Sequence, residues 1–303
     1  MKTATAKKIR LSILSLFLTF VVGFLVVYFW HLPGYLLKKE AIAMTPADNG
    51  PIRIMSCNVR YLALKDIGKK SWFYRADKLL GDIAKEAPGI IGFQEVTPWQ
   101  YSYLVDTLSG YDCVITYRDR SPRPEGCPIF YNTDLYTLVD KGSFWLSETP
   151  EVMSKDWDSA CHRVCSYVIL TDHVSGKNFV VFNTHLDHVS DEARINGIKV
   201  VLDKIAQFGG LPSVIMGDFN AEEGSETYIS VTENFLDARY EAEDTTDAGT
   251  FQRWGEIEGG ERIDYFMISK TGFRVQRYCV VDIVHDGAYA SDHNPIVLDV
   301  TPE

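Results

Sequence analysis

"VIMGDFNA", residues 214–221, is an apolar run that ends in a turn carrying Asp218 and Asn220. Gly, Asp and Asn form turns for their own local reasons, so this stretch alone reads equally well as an ordinary turn. The same ending recurs along the chain. Asn58 follows "IRIMSC", Glu95 follows "IIGFQ", and His185 follows "FVVFNT" with Asp187 and His188 just beyond. Asp264 lies inside "RIDYFMIS", and Asp292 and His293 precede "PIVLDV". Singly, each has a plain reading as a turn residue, a cap or a half-buried histidine. Together they put polar, chemistry-bearing groups at the ends of six apolar runs, where sheet-edge loops usually carry function.

The intervening pattern sets the fold class. "PIRIMSCNVR" reads as a first strand, with Ile52 and Ile54 on one face. Trp72, Ala76, Leu79, Leu80, Ile83 and Ala87 recur at helical spacing before Pro88-Gly89, and 99–108 reads as a second helix. From Tyr111 onward short strands and turns dominate, and residues 147–163 read as an irregular loop. "CSYVILTDHVSGKNFVVFNTHLDH" predicts a hairpin turning at Ser175-Gly176. Ser190 caps a helix whose Arg194, Ile198, Val201, Leu202 and Ile205 share a face. Hairpins outnumber strict strand–helix–strand steps, which favours two mostly antiparallel sheets with helices outside them.

The N-terminal residues differ in kind. Lys2, Lys7, Lys8 and Arg10 form a basic head, followed by twenty uncharged residues from Leu11 to Trp30. Such a run is just long enough to cross a bilayer as a helix. It ends in bulky "YFWHLPGY", a poor signal-cleavage site, while "AIA" at 41–43 lies far downstream. The expected organisation is a head, anchor and linker over 1–46, with residues 31–50 as linker, and a catalytic domain over 47–303. Basic residues remain cytoplasmic, so the catalytic domain is expected outside the cytoplasm. A secreted or periplasmic form after signal cleavage is the alternative. The chain carries a net −11, of which residues 1–40 contribute +5, leaving −16 for the rest. A part this acidic lacks the broad positive field of a tight duplex-DNA binder, and no stable duplex nucleic-acid complex is expected. Six cysteines do not dictate a pairing.

Carboxylates and amides without clustered cysteines suit a hard cation, Mg²⁺ or Mn²⁺. Histidines beside aspartates suit activation of water and stabilisation of charge on phosphorus. "CNVR", "GFQEV", "FNTHLDH", "GDFNA", "RIDYFMI" and "SDHNP" occur in an order and spacing that resembles the endonuclease/exonuclease/phosphatase superfamily, over about residues 51–302. The resemblance implies a four-layer α/β/β/α sandwich. It implies Glu95 as the principal Mg²⁺ ligand, with Asn58 beside it on metal or phosphate, and Asp292 either binding the metal directly or holding the groups that bind it. Asp218 would orient or deprotonate the attacking water, and Asn220 would hold the phosphate or that aspartate. His293 would contact the phosphate with Asp264 fixing its ring, and His185 would contact phosphate or protonate the leaving group. Asp218 and Asn220, two apart in an extended segment, would point to the same side.

Arg60, Arg163, Asp187 and Arg194 are weaker candidates for substrate contact. Arg194 lies on the inner helix face within reach of the "THLDH" loop. The expected reaction is in-line attack of activated water on a phosphate ester, on a lipid or small molecule, with an extracytoplasmic nuclease as the alternative. An inactive membrane-tethered binding or scaffold module is the second class. The intact set of metal and water residues argues against it.

Overall fold

The computed structural model describes residues 2–37, 41, 42, 44 and 50–303, with side chains from Arg10 onward. Lys38, Lys39, Ala43, Pro46, Asn49 and the expected boundary at 46/47 lie outside the described residues, as do the side chains of Lys2, Lys7 and Lys8.

Two β-sheets stack face to face. The seven-stranded sheet contains β1 (Ile52–Asn58), β2 (Ile90–Gln94), β3 (Tyr111–Val114) and β4 (Ile129–Asn132), joined by the late strands described next. The six-stranded sheet contains β5 (Tyr136–Trp145), β6 (Val164–Asp172), β7 (Asn178–His185), β8 (Ser213–Asp218), β9 (Phe235–Asp237) and β11 (Asp264–Ser269). Strands β10 (Asp244–Thr245), β12 (Phe273–Val280) and β15 (Ile296–Pro302) return to the first sheet, and β13 (Val284–His285) and β14 (Ala288–Tyr289) form a small hairpin. The strand orders are β10-β12-β15-β1-β2-β4-β3 and β5-β6-β7-β8-β11-β9. Most pairs are antiparallel. The exceptions are β10/β12 and two central pairs, β1/β2 and β7/β8.

Those two central pairs position the site. A parallel pair needs a crossover, usually a helix, and each has one: α3 (Trp72–Glu86) between β1 and β2, and α5 (Asp191–Ala206) between β7 and β8. Both strands of a parallel pair end at the same edge. Asn58 therefore pairs with Gln94, one residue before Glu95, and His185 pairs with Asp218. Antiparallel β11 starts beside the end of β8, which sets Asp264 against Asp218.

Ile54, Ile90, Val181, Met216, Phe266 and Leu298 fill the space between the sheets. Outside the first sheet, α3 and α4 (Pro98–Thr107) pack on Met55, Cys57, Ile91 and Phe93. Outside the second, α5 and α6 (Glu226–Thr232) pack on Phe182, Ile215 and Tyr265. Short α7 (Ala238–Glu241) closes the end of β9. The layers are α/β/β/α, as the resemblance implies, and the two sheets with helices outside them match the strand and helix patterns. A polar bridge crosses the apolar interlayer: Gln94 Nε2 donates to Asn183 Oδ1 at 2.7 Å, and Asn183 Nδ2 donates to the carbonyls of Phe93 and Pro128, each at 2.8 Å.

At the other end of the chain, α1 (Lys2–Tyr28) forms most of a stretch, Arg10–Leu37, that is long and apolar enough to cross a membrane. The linker expected over 31–50 is corrected in part, because Leu32–Leu37 forms α2. Pro33 is tolerated there, since the first turn of a helix has no intrahelical use for its N–H. Tyr28 and Tyr35 are buried against the α3–α4 layer: Tyr35 stacks on Tyr103 at 4.7 Å, and Tyr28 meets Phe73 edge-on at 6.1 Å.

Gly217, at φ +139°, allows β8 to approach β7 where the two strands end. A Cβ there would lie 1.9 Å from the Thr184 carbonyl oxygen, a backbone atom with no room to retreat. Gly217→Ala should destabilise the protein by roughly 3 kcal/mol or more, visible as a lower melting temperature; an unchanged Tm would show that the β7/β8 ends are not this tightly apposed.

Candidate active site

The strand ends converge on a cavity of about 400 Å³. Glu95, Asp218, Asn220, His185, Asp292, His293, Arg60 and Arg163 all line it. Asn58 lies beneath its floor, where its Nδ2 donates to Asp218 at 3.0 Å and to Glu95 at 3.3 Å. Asp264 stands behind His293 and accepts from its Nδ1 at 2.9 Å. Residues spread over more than two hundred positions thus share one buried cluster.

Three pocket residues hold left-handed backbone: Arg60 at φ 56°, Glu95 at 62° and Asn220 at 49°. Non-glycine residues in this region cost about 1–3 kcal/mol each and gather at functional sites. At Asn220 the geometry corrects an expectation. Strand β8 stops at Asp218, so the two side chains do not share a pleat. Asp218 Oδ1 instead captures the Asn220 backbone N–H at 2.9 Å, an Asx turn, and Asn220 Nδ2 donates to the Leu186 carbonyl at 3.1 Å. The turn still leaves Asn220 in the pocket wall.

The charges are unevenly matched. Burial, then the neighbouring charge of Asp264, pushes the Asp218 carboxyl up to about 7. Burial also raises Asp292, helped by Glu95, and its Oδ1 is a buried acceptor without a hydrogen-bond partner among the described residues. Glu95 behaves differently. Burial opposes its ionisation most, but Arg60 and the Tyr61 N–H, which donates at 2.8 Å, together hold its carboxyl below the usual range. Burial works against a charge on His293 as well, yet Asp264 and Asp218 outweigh it and raise its pKa to about 10. His185 is the reverse: burial and the adjacent Arg163 and Arg118 hold it well below its ordinary value, so it is neutral. Its Nε2 sits 3.4 Å from Asp218 Oδ2, and that of His293 sits 3.7 Å from the same oxygen.

The donor set fits a divalent cation. Glu95 and Asp292 offer carboxylate oxygens to the cavity, and one Asp292 oxygen has no hydrogen-bond partner among the described residues. All-oxygen donors of this kind suit a hard ion. Asp218, Asp264 and His293 also bring ligand-type atoms within 4.8 Å of one another, but there the imidazole is already engaged by both carboxylates.

Arg60 reaches Asp66 at 3.1 Å and Asp292 at 3.5 Å. Arg163 donates to His188 Nδ1 at 3.0 Å and its Nε lies 3.6 Å from Asp187 Oδ2 in an ion pair, while its Nη1 has no hydrogen-bond partner among the described residues. Two substrate-contact expectations are corrected. Neither Asp187 nor Arg194 lines the cavity. Asp187 is consumed by the loop that carries His188, accepting from the N–H groups of Ala160, Val189 and Ser190 and from the Ser159 hydroxyl. Arg194 braces that loop from outside, donating to the Asp187 carbonyl at 2.7 Å.

The cavity also holds residues that sequence reasoning passed over. Arg118 and Glu125 form one wall, joined at 2.7 Å, and Phe251 lies 4.8 Å from the His293 ring. Arg118 and Glu125 lie within "YRDRSPRPEG", away from any strand end, so no pattern singled them out. Buried Arg75 was hidden inside the α3 helical face. It donates to the carbonyls of Val59, Arg60, Lys70 and Ala290, tying together the loops that carry Arg60 and Asp292.

A model of the Endonuclease/Exonuclease/phosphatase family matches residues 55–293. The chain belongs to that family. Its members hydrolyse phosphoester bonds and are generally dependent on divalent metal. The chain is similar to an endonuclease/exonuclease/phosphatase structure from Bacteroides vulgatus, with 32% identity and a TM-score of 0.78 over 83% of this chain and 99% of that one. It is similar to a mannosyl-6-phosphatase from Bacteroides thetaiotaomicron, with 29% identity and a TM-score of 0.75 over 82% and 99%. Human nocturnin is 24% identical across 84% of this chain; the match spans 66% of nocturnin's length, just under two thirds.

The hydrogen bonds to Asp187 hold its carboxyl at about 2 in spite of burial. A depressed carboxylate stabilises the fold above its unfolded pKa, near 4, and that contribution is lost as pH falls through the folded value. Asp187→Asn should therefore cost about 2 kcal/mol at pH 7, with a deficit in Tm that shrinks between pH 4 and 2. A deficit of equal size at pH 7 and pH 2 would place the effect elsewhere.

Proposed function

We propose that the protein is a Mg²⁺-dependent phosphoesterase, with Mn²⁺ as a substitute ion, acting on a lipid or small-molecule phosphate ester. The observation that carries this reading is the meeting of Asp218, His185 and His293 around one buried oxygen beside Glu95 and Asp292. Glu95 and Asp292, with Asn58 next to them, would hold the cation, which when bound polarises a phosphate oxygen. Asp218, with its pKa near neutrality, accepts a proton from the attacking water. The His293 imidazolium, fixed by Asp264, donates to a phosphoryl oxygen as negative charge grows on it. Asn220, Arg60 and Arg163 hold the remaining oxygens. His185, held neutral first by burial and then by Arg163 and Arg118, would contact the phosphate beside Asp218.

A small-molecule or lipid substrate is supported by the compact cavity, the acidity of the catalytic part and the similarity to a sugar phosphatase. Burial of Tyr28 and Tyr35 in the α3–α4 layer supports retention of α1 as an anchor. The basic head, with four cationic residues before the span, supports an extracytoplasmic catalytic part.

Turnover is expected to vanish in EDTA and return with Mg²⁺; activity that persists in chelator removes the metal from the reading. Asp218→Asn should fold and lose at least about a thousandfold in kcat, because an amide cannot take the proton. Both are measured on 4-nitrophenyl phosphate and bis(4-nitrophenyl) phosphate, which share a leaving group, with the monoester expected to be the better substrate. A strong diester preference would favour the nuclease alternative. The intact chain should also remain in membranes through a high-salt wash, whereas a soluble form beginning near residue 44 would identify a cleaved signal.

A further inference from the structure

The outer end of α1 packs on elements that lead to the cavity. Tyr28, in its last turn, packs on Phe73 at the start of α3, and Asp66 and Arg123 both lie near enough to act electrostatically on its hydroxyl. Each leads to the pocket. Asp66 holds Arg60 in one wall, and Arg123 sits between Arg118 and Glu125 in the chain, the two residues that form another. A second route runs through the Tyr35 hydroxyl to Trp72 Nε1 at 3.4 Å, from Trp72 to Arg75 at 5.0 Å, and from Arg75 to the Arg60 carbonyl at 2.7 Å.

The surface around this junction is apolar where a soluble protein would be polar. Leu64 is 50% exposed and Ile67 45%, flanking Asp66, and Trp99, 55% exposed, packs on Phe73. Trp30, Leu36 and Leu37 continue the same face onto α2. Tryptophan and tyrosine at the end of an apolar span belong at the level of lipid headgroups; Phe73 meets Tyr28 and Phe29 at the end of the span, and Trp99 packs on Phe73. Arg120 and Arg123 are exposed in the segment between the cavity residues Arg118 and Glu125, in a catalytic part that is otherwise strongly acidic, and exposed cations there suit anionic lipid.

We propose that α2, residues 62–67 and Trp99 form a membrane-docking face, with Arg120 and Arg123 resting on lipid headgroups, so that the cavity opens at the bilayer surface and draws its phosphoester from a membrane lipid. The substrate part of this inference rests on the phosphoesterase reading above; the docking part does not.

The test uses the full chain in phosphatidylcholine–phosphatidylglycerol vesicles carrying brominated acyl chains, which quench tryptophans that reach the bilayer. Trp99→Phe should reduce the quenched fraction of the fluorescence. Quenching identical in wild type and Trp99→Phe overturns the docking face. The double variant Leu64→Asp/Ile67→Asp should hydrolyse soluble 4-nitrophenyl phosphate at the wild-type rate and vesicle phosphatidic acid at least tenfold more slowly. Equal rates for variant and wild type on the vesicle lipid, or equal losses on both substrates, overturn lipid delivery by this face. Quenching that depends on Trp99 without turnover of either ester retains docking and overturns the phosphoesterase reading.

Discussion

Two parallel strand pairs, set within sheets that are otherwise mostly antiparallel, govern where chemistry can occur in this chain. In an antiparallel pair, neighbouring strands end at opposite edges. In β1/β2 and β7/β8 they end at one edge, and each pair delivers two polar side chains there: Asn58 with Glu95, and His185 with Asp218. The two sheets must then be brought into register so that the two edges face one cavity. The Gln94–Asn183 bridge does this in an interlayer that is otherwise apolar. Apolar contacts are non-directional and tolerate sliding, whereas a buried amide pair is satisfied at one offset only, and slippage would leave it unpaired at a cost of a few kcal/mol. Both residues lie within two positions of the groups they locate.

The local signals that expose a strand or a helix were legible, because they depend on periodicity. The α3 and α5 faces, the main strands and the polar strand ends of the cluster follow from the order of apolar and polar residues alone. What periodicity does not encode is a turn formed by a side chain or a wall built by a loop. Spacing alone puts Asn220 on a pleat with Asp218, whereas an Asx turn ends the strand between them. Asp187 and Arg194 look like site residues in sequence because they adjoin His188 and His185, but four donors and a carbonyl absorb them. Arg118 and Glu125 were invisible for the converse reason: an irregular loop has no period from which to infer a facing. Arg75 shows a third limit, since an arginine inside an apolar helical face reads as surface until its carbonyl partners, at Lys70 and in two distant loops, are known.

Arg75 also indicates how the strained loops persist. Left-handed Arg60 and Glu95 would relax if their neighbourhood could move. The guanidinium fixes the chain on both sides of Arg60 and the carbonyl of Ala290 ahead of Asp292. Burial of that charge lowers its pKa to about 10, a sign of how much solvation it has given up to hold four carbonyls. The cavity is thus rigid at its base, while its upper wall is built from the Arg118–Glu125 loop.

Strand β15 lies between β1 and β12, inside the seven-stranded sheet, with Ile52 paired to Val300. A chain made from its N-terminus extends its first catalytic strand long before the partner of that strand exists. Non-local pairings of this kind fold slowly and leave edges open to association. Until residues 292–302 emerge, β1 has one unpaired flank, and Asp292 and His293 are missing from the cavity. The pocket therefore comes into being late and all at once, and a chain that lacks residues 292–302 leaves one edge of β1 unpaired.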